Sequence, residues 1–212
     1  MSIRLYAGKS VYPRVLAFEG VRSYTTCVSD NPLGAGNQQE RLIKFLGWIT
    51  GFVDGEGCFS VGFIEQPDRP HRKGYTWGYQ VYHEFAVVQG AKSLHCLKKL
   101  KRFFGVGNIY INRRHDNHKE DLYRYSVVRR NDLLCTIIPF FEKHPLRTSK
   151  RLDFEKFAWC VRRMNRHYHL SRRGLIHIAR VIATMNHRKP RKYLISILRD
   201  YTPNARSYRA MR

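Results

Sequence analysis

The sequence predicts an α+β domain of order αββαββα, with an antiparallel sheet that carries its helices on one face, leaves the other open, and is followed by a helical C-terminal extension. Three observations lead there. Apolar residues between Leu42 and Phe59 recur at helical spacing; two pairs of segments, 58–65 with 75–89 and 108–114 with 121–129, alternate apolar and polar residues; and helical periodicity returns after each pair. With 212 residues, 43% of them hydrophobic and 13% aromatic, the chain has enough apolar surface for one core with extensions.

Residues 1–40 carry Arg4, Lys9, Arg14 and Arg22 against Glu19 as the lone acid before Asp30. That composition suits either an organelle transit segment or a basic arm lying on nucleic acid. In the first helix, Phe45, Ile49, Phe52 and Val53 form the stripe that faces the core. The opposite stripe is small: Gly47, Thr50, Gly51 and Asp54. Each interior glycine costs a helix roughly 1 kcal/mol relative to alanine, and the gain expected in return is close approach of a second helix. The helix should stop near Asp54-Gly55-Glu56-Gly57, whose glycines suit a helix end. Two carboxylates at the negative end of a helix dipole call for a positive partner. By spacing alone, this is either a solvated turn or a site for a divalent ion such as Mg²⁺, which binds through one or two carboxylates.

The strand over 58–65 places Phe59, Val61 and Phe63 on one face and Ser60, Gly62 and Ile64 on the other; a basic loop from Gln66 to Gly74 follows. Over 75–89, Tyr79, Val81, Phe85 and Val87 face the core, with Gln80, Tyr82 and Glu84 opposite. A helix over 91–104 presents Leu94, Leu97, Leu100 and Phe104 and ends at Gly105-Val106-Gly107. In the second hairpin Ile109, Ile111, Tyr123, Tyr125 and Val127 are expected to be buried. Asn108, Tyr110, Asn112, Arg114, Arg124 and Ser126 remain for the open face. Such residues read base edges and hold phosphates, and a two-stranded ribbon fits the major groove. Ser60, Gln80 and Tyr82 extend that candidate surface. Further helices are expected over 132–141 and 149–164. A last one, capped by Ser171, carries Leu175, Ile178, Ala179, Ile182 and Met185 on one stripe. The domain is expected to span 41–165 and the basic extension 166–212, with a cluster at Arg188, Lys189, Arg191 and Lys192.

A formal net charge of +23, from 39 Lys+Arg against 16 Asp+Glu, implies a polyanionic partner, nucleic acid before membrane. No apolar run has the length of a membrane span. The cysteines Cys27, Cys58, Cys96, Cys135 and Cys160 are far apart and form no CxxC pair, so they read as reduced core or boundary residues. His115, His118, His167 and His169 read as surface or phosphate-contacting groups.

Ile49-Thr50-Gly51-Phe52-Val53-Asp54-Gly55-Glu56-Gly57 resembles the signature of the LAGLIDADG homing endonucleases, with both flanking glycines and the first acid kept and Glu56 in place of the final Asp. The resemblance covers roughly residues 42–160 and implies an αββαββα core with a saddle-shaped sheet that binds DNA. It implies that two such helices pack together, and that Glu56, with the Gly55 backbone, binds a catalytic Mg²⁺. Phe85-Ala86-Val87-Val88-Gln89 resembles the second-strand end whose Gln orders water, which gives Gln89 a supporting role. Leu146-Arg147-Thr148-Ser149-Lys150 looks like the segment that supplies a positively charged active-site residue, Lys150 first and Arg147 second. One motif and no repeat imply a homodimer with Gly47, Thr50, Gly51 and Asp54 at its interface, each subunit cutting one strand of a long, roughly palindromic DNA site. The alternative is a non-catalytic RNA-binding protein of the same fold, an intron maturase or a single copy in an organellar ribosome. The resemblance, with the N-terminal composition, places the protein in a mitochondrion, with a chloroplast second.

Overall fold

A computed structural model of the protein describes residues 33–66, 71, 74–112 and 121–186. The helix α1 spans Leu33–Glu56, and β1, Gly57–Glu65, begins at the very next residue. The other strands are β2, Tyr79–Gly90, β3, Asn108–Asn112, and β4, Leu122–Val127. They form one antiparallel sheet in the order β1-β2-β4-β3. The 3₁₀ turn Ala91–Ser93 leads into α2, Leu94–Phe104. After β4, α3, Arg130–Asp132, passes through a π-helical turn, Leu133–Ile137, into α4, Ile138–Lys143. Then come α5, Lys150–Asn165, a 3₁₀ turn at Tyr168–Leu170, and α6, Arg172–Ile182.

The direct passage from α1 to β1 depends on Gly57. A Cβ there would lie 2.6 Å from both the Val53 carbonyl oxygen and Val53 Cγ1, so no larger residue fits the reversal. Gly107, at φ +77°, makes a similar close approach: a Cβ would stand 2.6 Å from the Ser126 carbonyl oxygen. That glycine brings the end of α2 down onto β4. Ser171 caps α6 as its sequence suggests, its hydroxyl accepting from Gly174 N at 3.0 Å.

One face of the sheet is covered by the helices. Phe59 lies fully buried at the centre, its ring 5.1–5.5 Å from those of Phe85, Phe141, Phe154 and Phe157. Strand alternation thus brings β1 and β2 against α4 and α5 through stacked and edge-on aromatic contacts. The α1 stripe of Phe45, Ile49, Phe52 and Val53 joins the same core.

Several expectations need correction. Helix α1 begins at Leu33, inside the stretch assigned to an N-terminal arm; residues 1–32 lie outside the described residues. Asn37 to Ile43 are exposed, so no apolar stripe marks these turns. Helix-forming residues extend them, aided by a Lys44–Glu40 ion pair. Tyr75–Gly78 is a turn instead of strand, since Gly78 N donates to Tyr75 O and Gly78 takes φ +70°. Ile111 is 46% exposed: it lies on the helix side of the edge strand β3, where Ile109 packs against the core but Ile111, further along, is left uncovered. Cys58 and Cys135 are exposed, while Cys160 is buried, and each of these thiols is free.

His169, expected at the surface, has a buried ring nitrogen, as does His83, a residue that no sequence motif singled out; His115 and His118 lie outside the described residues. On the helix side of β2, both ring nitrogens of His83 are buried without a hydrogen-bond partner, as is His169 Nδ1. Burial, and then the neighbouring Arg130 charge, lower the His83 pKa to about 4. The unfolded chain therefore binds the extra proton first as pH falls. Stability should fall with pH from about 6.5 down to about 4, by an amount on the order of 1–3 kcal/mol. Urea unfolding across that window should show a shallower loss in His83→Gln than in the wild type.

Candidate active site and nucleic-acid face

The site is built where α1 ends and α5 begins. Asp54, in the last turn of α1, accepts from Arg147 N at 2.9 Å, Thr148 N at 3.1 Å and Thr148 Oγ1 at 2.6 Å. Burial alone would raise its pKa, but these hydrogen bonds, with the Lys150 charge, hold the carboxyl below its ordinary value. The carboxylate therefore serves the segment before α5 in place of backbone partners. In return Lys150 sends its ammonium back across the gap, donating to Val53 O at 3.1 Å and Gly55 O at 2.9 Å. It thus caps two terminal carbonyls of α1, at the negative end of that helix dipole. Burial lowers the Lys150 pKa, and the acidic groups around it pull the other way.

The positive partner anticipated at this end of α1 is thus a lysine of the chain itself. Glu56, the last residue of α1, is exposed. Its carboxylate makes no hydrogen bond or ion pair with the described residues. Among these residues no three His, Cys, Asp or Glu side chains converge. One copy offers a hard cation the Glu56 carboxylate, whereas the Gly55 carbonyl expected beside it already accepts from the Lys150 ammonium. The carboxylate oxygens suit Mg²⁺, and they are fewer than a complete shell.

Of the expected site residues, Lys150 and Glu56 are brought to the same helix end. Arg147 contributes a backbone N–H, with its side chain outside this contact. Gln89 lies two positions beyond Val87, the pairing partner of Gly57. Alternation puts it on the helix side with Phe85 and Val87, and no hydrogen bond ties it to Glu56 or Lys150.

The small stripe of α1 is open. Among the described residues a Cβ at Gly47 or Gly51 would meet nothing within 4 Å, and Thr50 returns its hydroxyl to Leu46 O at 2.9 Å. Together with Asp54 these residues floor a groove whose other wall is His144, Pro145, Leu146 and Arg147. Asp54 lies in that groove, but its carboxylate is committed within the chain.

On the open sheet face, Tyr110 and Asn112 are exposed. Gln80 Oε1 accepts from Gln66 at 3.4 Å, and Ser60 Oγ donates to Glu84 O at 3.4 Å. Ser126 is buried, and its one donor is committed to Glu84 Oε1 at 2.5 Å, which takes it out of the expected ligand-facing set. Tyr82 and Arg124 bind the same carboxylate. Arg114, Arg188, Lys189, Arg191 and Lys192 lie outside the described residues. Glu84 and Thr148 were missed by sequence reasoning. Glu84 stood on the open face of its strand, but nothing in the sequence states the register that sets it beside Arg124. The Thr148 hydroxyl has no periodicity to reveal it.

A family profile described as LAGLIDADG endonuclease matches residues 49–161. Over 141 residues, 66% of this chain, the sequence is 32% identical to the Neurospora crassa protein named probable intron-encoded endonuclease 3, of which it covers 24%. The chain thus spans about a quarter of that relative's length. The homing endonuclease I-TnaI superposes with a TM-score of 0.58 at 35% identity, covering 79% of this chain and 97% of that one. I-SmaMI, solved bound to an uncleaved DNA target with calcium ions, superposes with a TM-score of 0.61 at 29% identity, over 74% of this chain and 49% of that one.

Replacing Asp54 by Ala would leave the Arg147 and Thr148 donors without their acceptor. Chemical unfolding should show a loss of about 1–3 kcal/mol at neutral pH. Because the folded carboxyl titrates below its ordinary range, this contribution is present above that range and lost as pH falls through the lowered value. The gap between wild type and Asp54→Ala should therefore close in acid.

Proposed function

The chain belongs to the LAGLIDADG endonuclease family, and from that premise we propose that it is a site-specific endonuclease of intron homing, cutting both strands of a long, pseudo-palindromic DNA site. The observation that carries this reading is the exposed, unpartnered Glu56 carboxylate, set beside a lysine that is fixed on the Gly55 carbonyl at the border of the open sheet face. A protein that only bound phosphate would have no use for such a carboxylate.

The open stripe of α1 supports a homodimer. Among the described residues Gly47 and Gly51 have no neighbour that needs them small, so a second α1, at an isologous interface, accounts for both. That pairing would set two Glu56 carboxylates together and complete the oxygen donors that one copy lacks. Enzymes of this family depend on metal; we assign Mg²⁺, which when bound activates water and stabilises the leaving oxygen. Glu56 holds the ion. Lys150, oriented by Val53 O and Gly55 O, neutralises charge on the scissile phosphate, and Gln89 at the strand end orders water. Tyr110, Asn112 and Arg124 face the major groove. Mitochondrial residence fits the basic N-terminal composition and the free thiols.

Glu56→Gln should bind target DNA with unchanged affinity and lose at least 10³-fold in cleavage rate; cleavage near the wild-type rate with Mg²⁺ would refute the assignment. Gly51→Leu should keep the folded circular dichroism signature, since a Cβ there meets nothing within 4 Å among the described residues, and sediment as a monomer. A dimer of unchanged stability in that variant would remove α1 from the interface.

A further inference from the structure

Among the described residues, two polar side chains are buried, Glu84 at 3% exposure and Ser126 at 5%, and both belong to one cluster on the open face of the sheet. The Glu84 carboxylate receives four donors. Arg124 Nε reaches Oε1 at 2.9 Å and Arg124 Nη2 binds Oε2; Ser126 Oγ donates to Oε1 and Tyr82 Oη to Oε2. Each oxygen is thus doubly satisfied, and the charge is matched by one guanidinium. Buried ion pairs of this kind do little for stability compared with apolar packing. What this one does is hold an arginine still.

The two members differ in exposure: the Arg124 side chain is 44% exposed and that of Glu84 4%. Glu84 occupies the Nε–Nη2 edge of the guanidinium. The edge formed by Nη1 and the second Nη2 hydrogen is left, and its two donors run parallel. That is the fork which pairs with O6 and N7 of guanine in the major groove, and with no other base edge there as well. A free arginine could swing to a phosphate. This one is restrained by its second carboxylate bond, with its side-chain entropy already spent in folding. In register, Arg124 stands between Val88 and Tyr110, and Ser126 pairs with Ala86, the partner of Cys58, two residues past Glu56. The cluster therefore sits at the end of the sheet next to the α1 terminus.

We infer that Arg124 is a specificity-determining residue that reads a guanine in the part of each half-site near the cleavage point, and that Glu84 is the positioning residue that fixes which edge of the guanidinium faces the DNA. This deepens the DNA-endonuclease reading and rests on it.

The test selects duplexes from a randomised DNA library with the full chain, in parallel for wild type, Glu84→Gln, and Glu84→Gln combined with Arg124→Met, which leaves no buried charge unpaired. Wild type should select one invariant guanine per half-site, and replacing that G·C pair by A·T should weaken its binding roughly 10–100-fold. The double variant should bind both duplexes alike and keep its preferences elsewhere. Glu84→Gln should weaken the guanine preference while its affinity for random duplex stays level or rises, because an acid has been removed from the face. A uniform loss in the double variant across all sequences, with a reduced salt slope, would make Arg124 a phosphate contact and overturn the inference. An unchanged guanine preference in Glu84→Gln would overturn the positioning role. Wild-type protein that selects no duplex at all would overturn the DNA reading itself, a failure distinct from the other two.

Discussion

The reciprocal clasp between the end of α1 and the start of α5 is the constraint on which the rest of the molecule depends. Asp54 takes the hydrogen bonds of Arg147 and Thr148, and Lys150 gives its own to Val53 and Gly55. Lys150 thereby caps the carbonyl end of α1, where its charge suits the helix dipole, while Asp54 ties down Arg147 and Thr148, which lead into α5. The clasp also fixes the Lys150 ammonium in place and leaves the neighbouring Glu56 carboxylate unpaired, outside the exchange. A site intended for phosphate chemistry has to keep both charges available, and a direct Glu56–Lys150 ion pair would have cancelled them.

Much of this was legible in the sequence, for reasons that differ between elements. The strand faces could be read because alternation at Phe59, Val61, Phe85 and Val87 is imposed by a core on one side only. Helix α6 could be read from its cap and stripe. The beginning of α1 could not, since its first turns are solvated and are held by local propensity and an ion pair. Ile111 misled because a strand's parity says which side a residue faces, and not whether a helix reaches it. The motif named Glu56 and Lys150, and left hidden how they are held. Asp54 was assigned outward by its stripe, whereas its hydrogen bonds go to residues 93 and 94 positions away. Pairings that distant, like that of Glu84 with Arg124, exist only once the sheet and helices have been assembled.

The two faces of the sheet use different chemistry for the same purpose. On the helix side a cluster of phenylalanine rings around Phe59 determines where α4 and α5 lie. On the open side, where such rings would leave a large apolar patch, three polar side chains around Glu84, those of Tyr82, Arg124 and Ser126, provide the rigidity. A groove-reading surface needs side chains that are ordered before the ligand arrives, because ordering them afterwards subtracts from affinity.

The passage from α1 into β1 without a connecting residue has a genetic consequence. Helical phase advances about 100° per residue, and a strand inverts its faces with each step. Insertion or deletion of a single codon near Glu56 would therefore rotate the glycine stripe away from its side, or exchange Phe59 with Ser60, and Gly57 forbids absorbing the error in a looser turn. In a lineage of such genes, length changes should accumulate in the connection after β1 and in the β3–β4 turn. The junction itself should vary only by substitution.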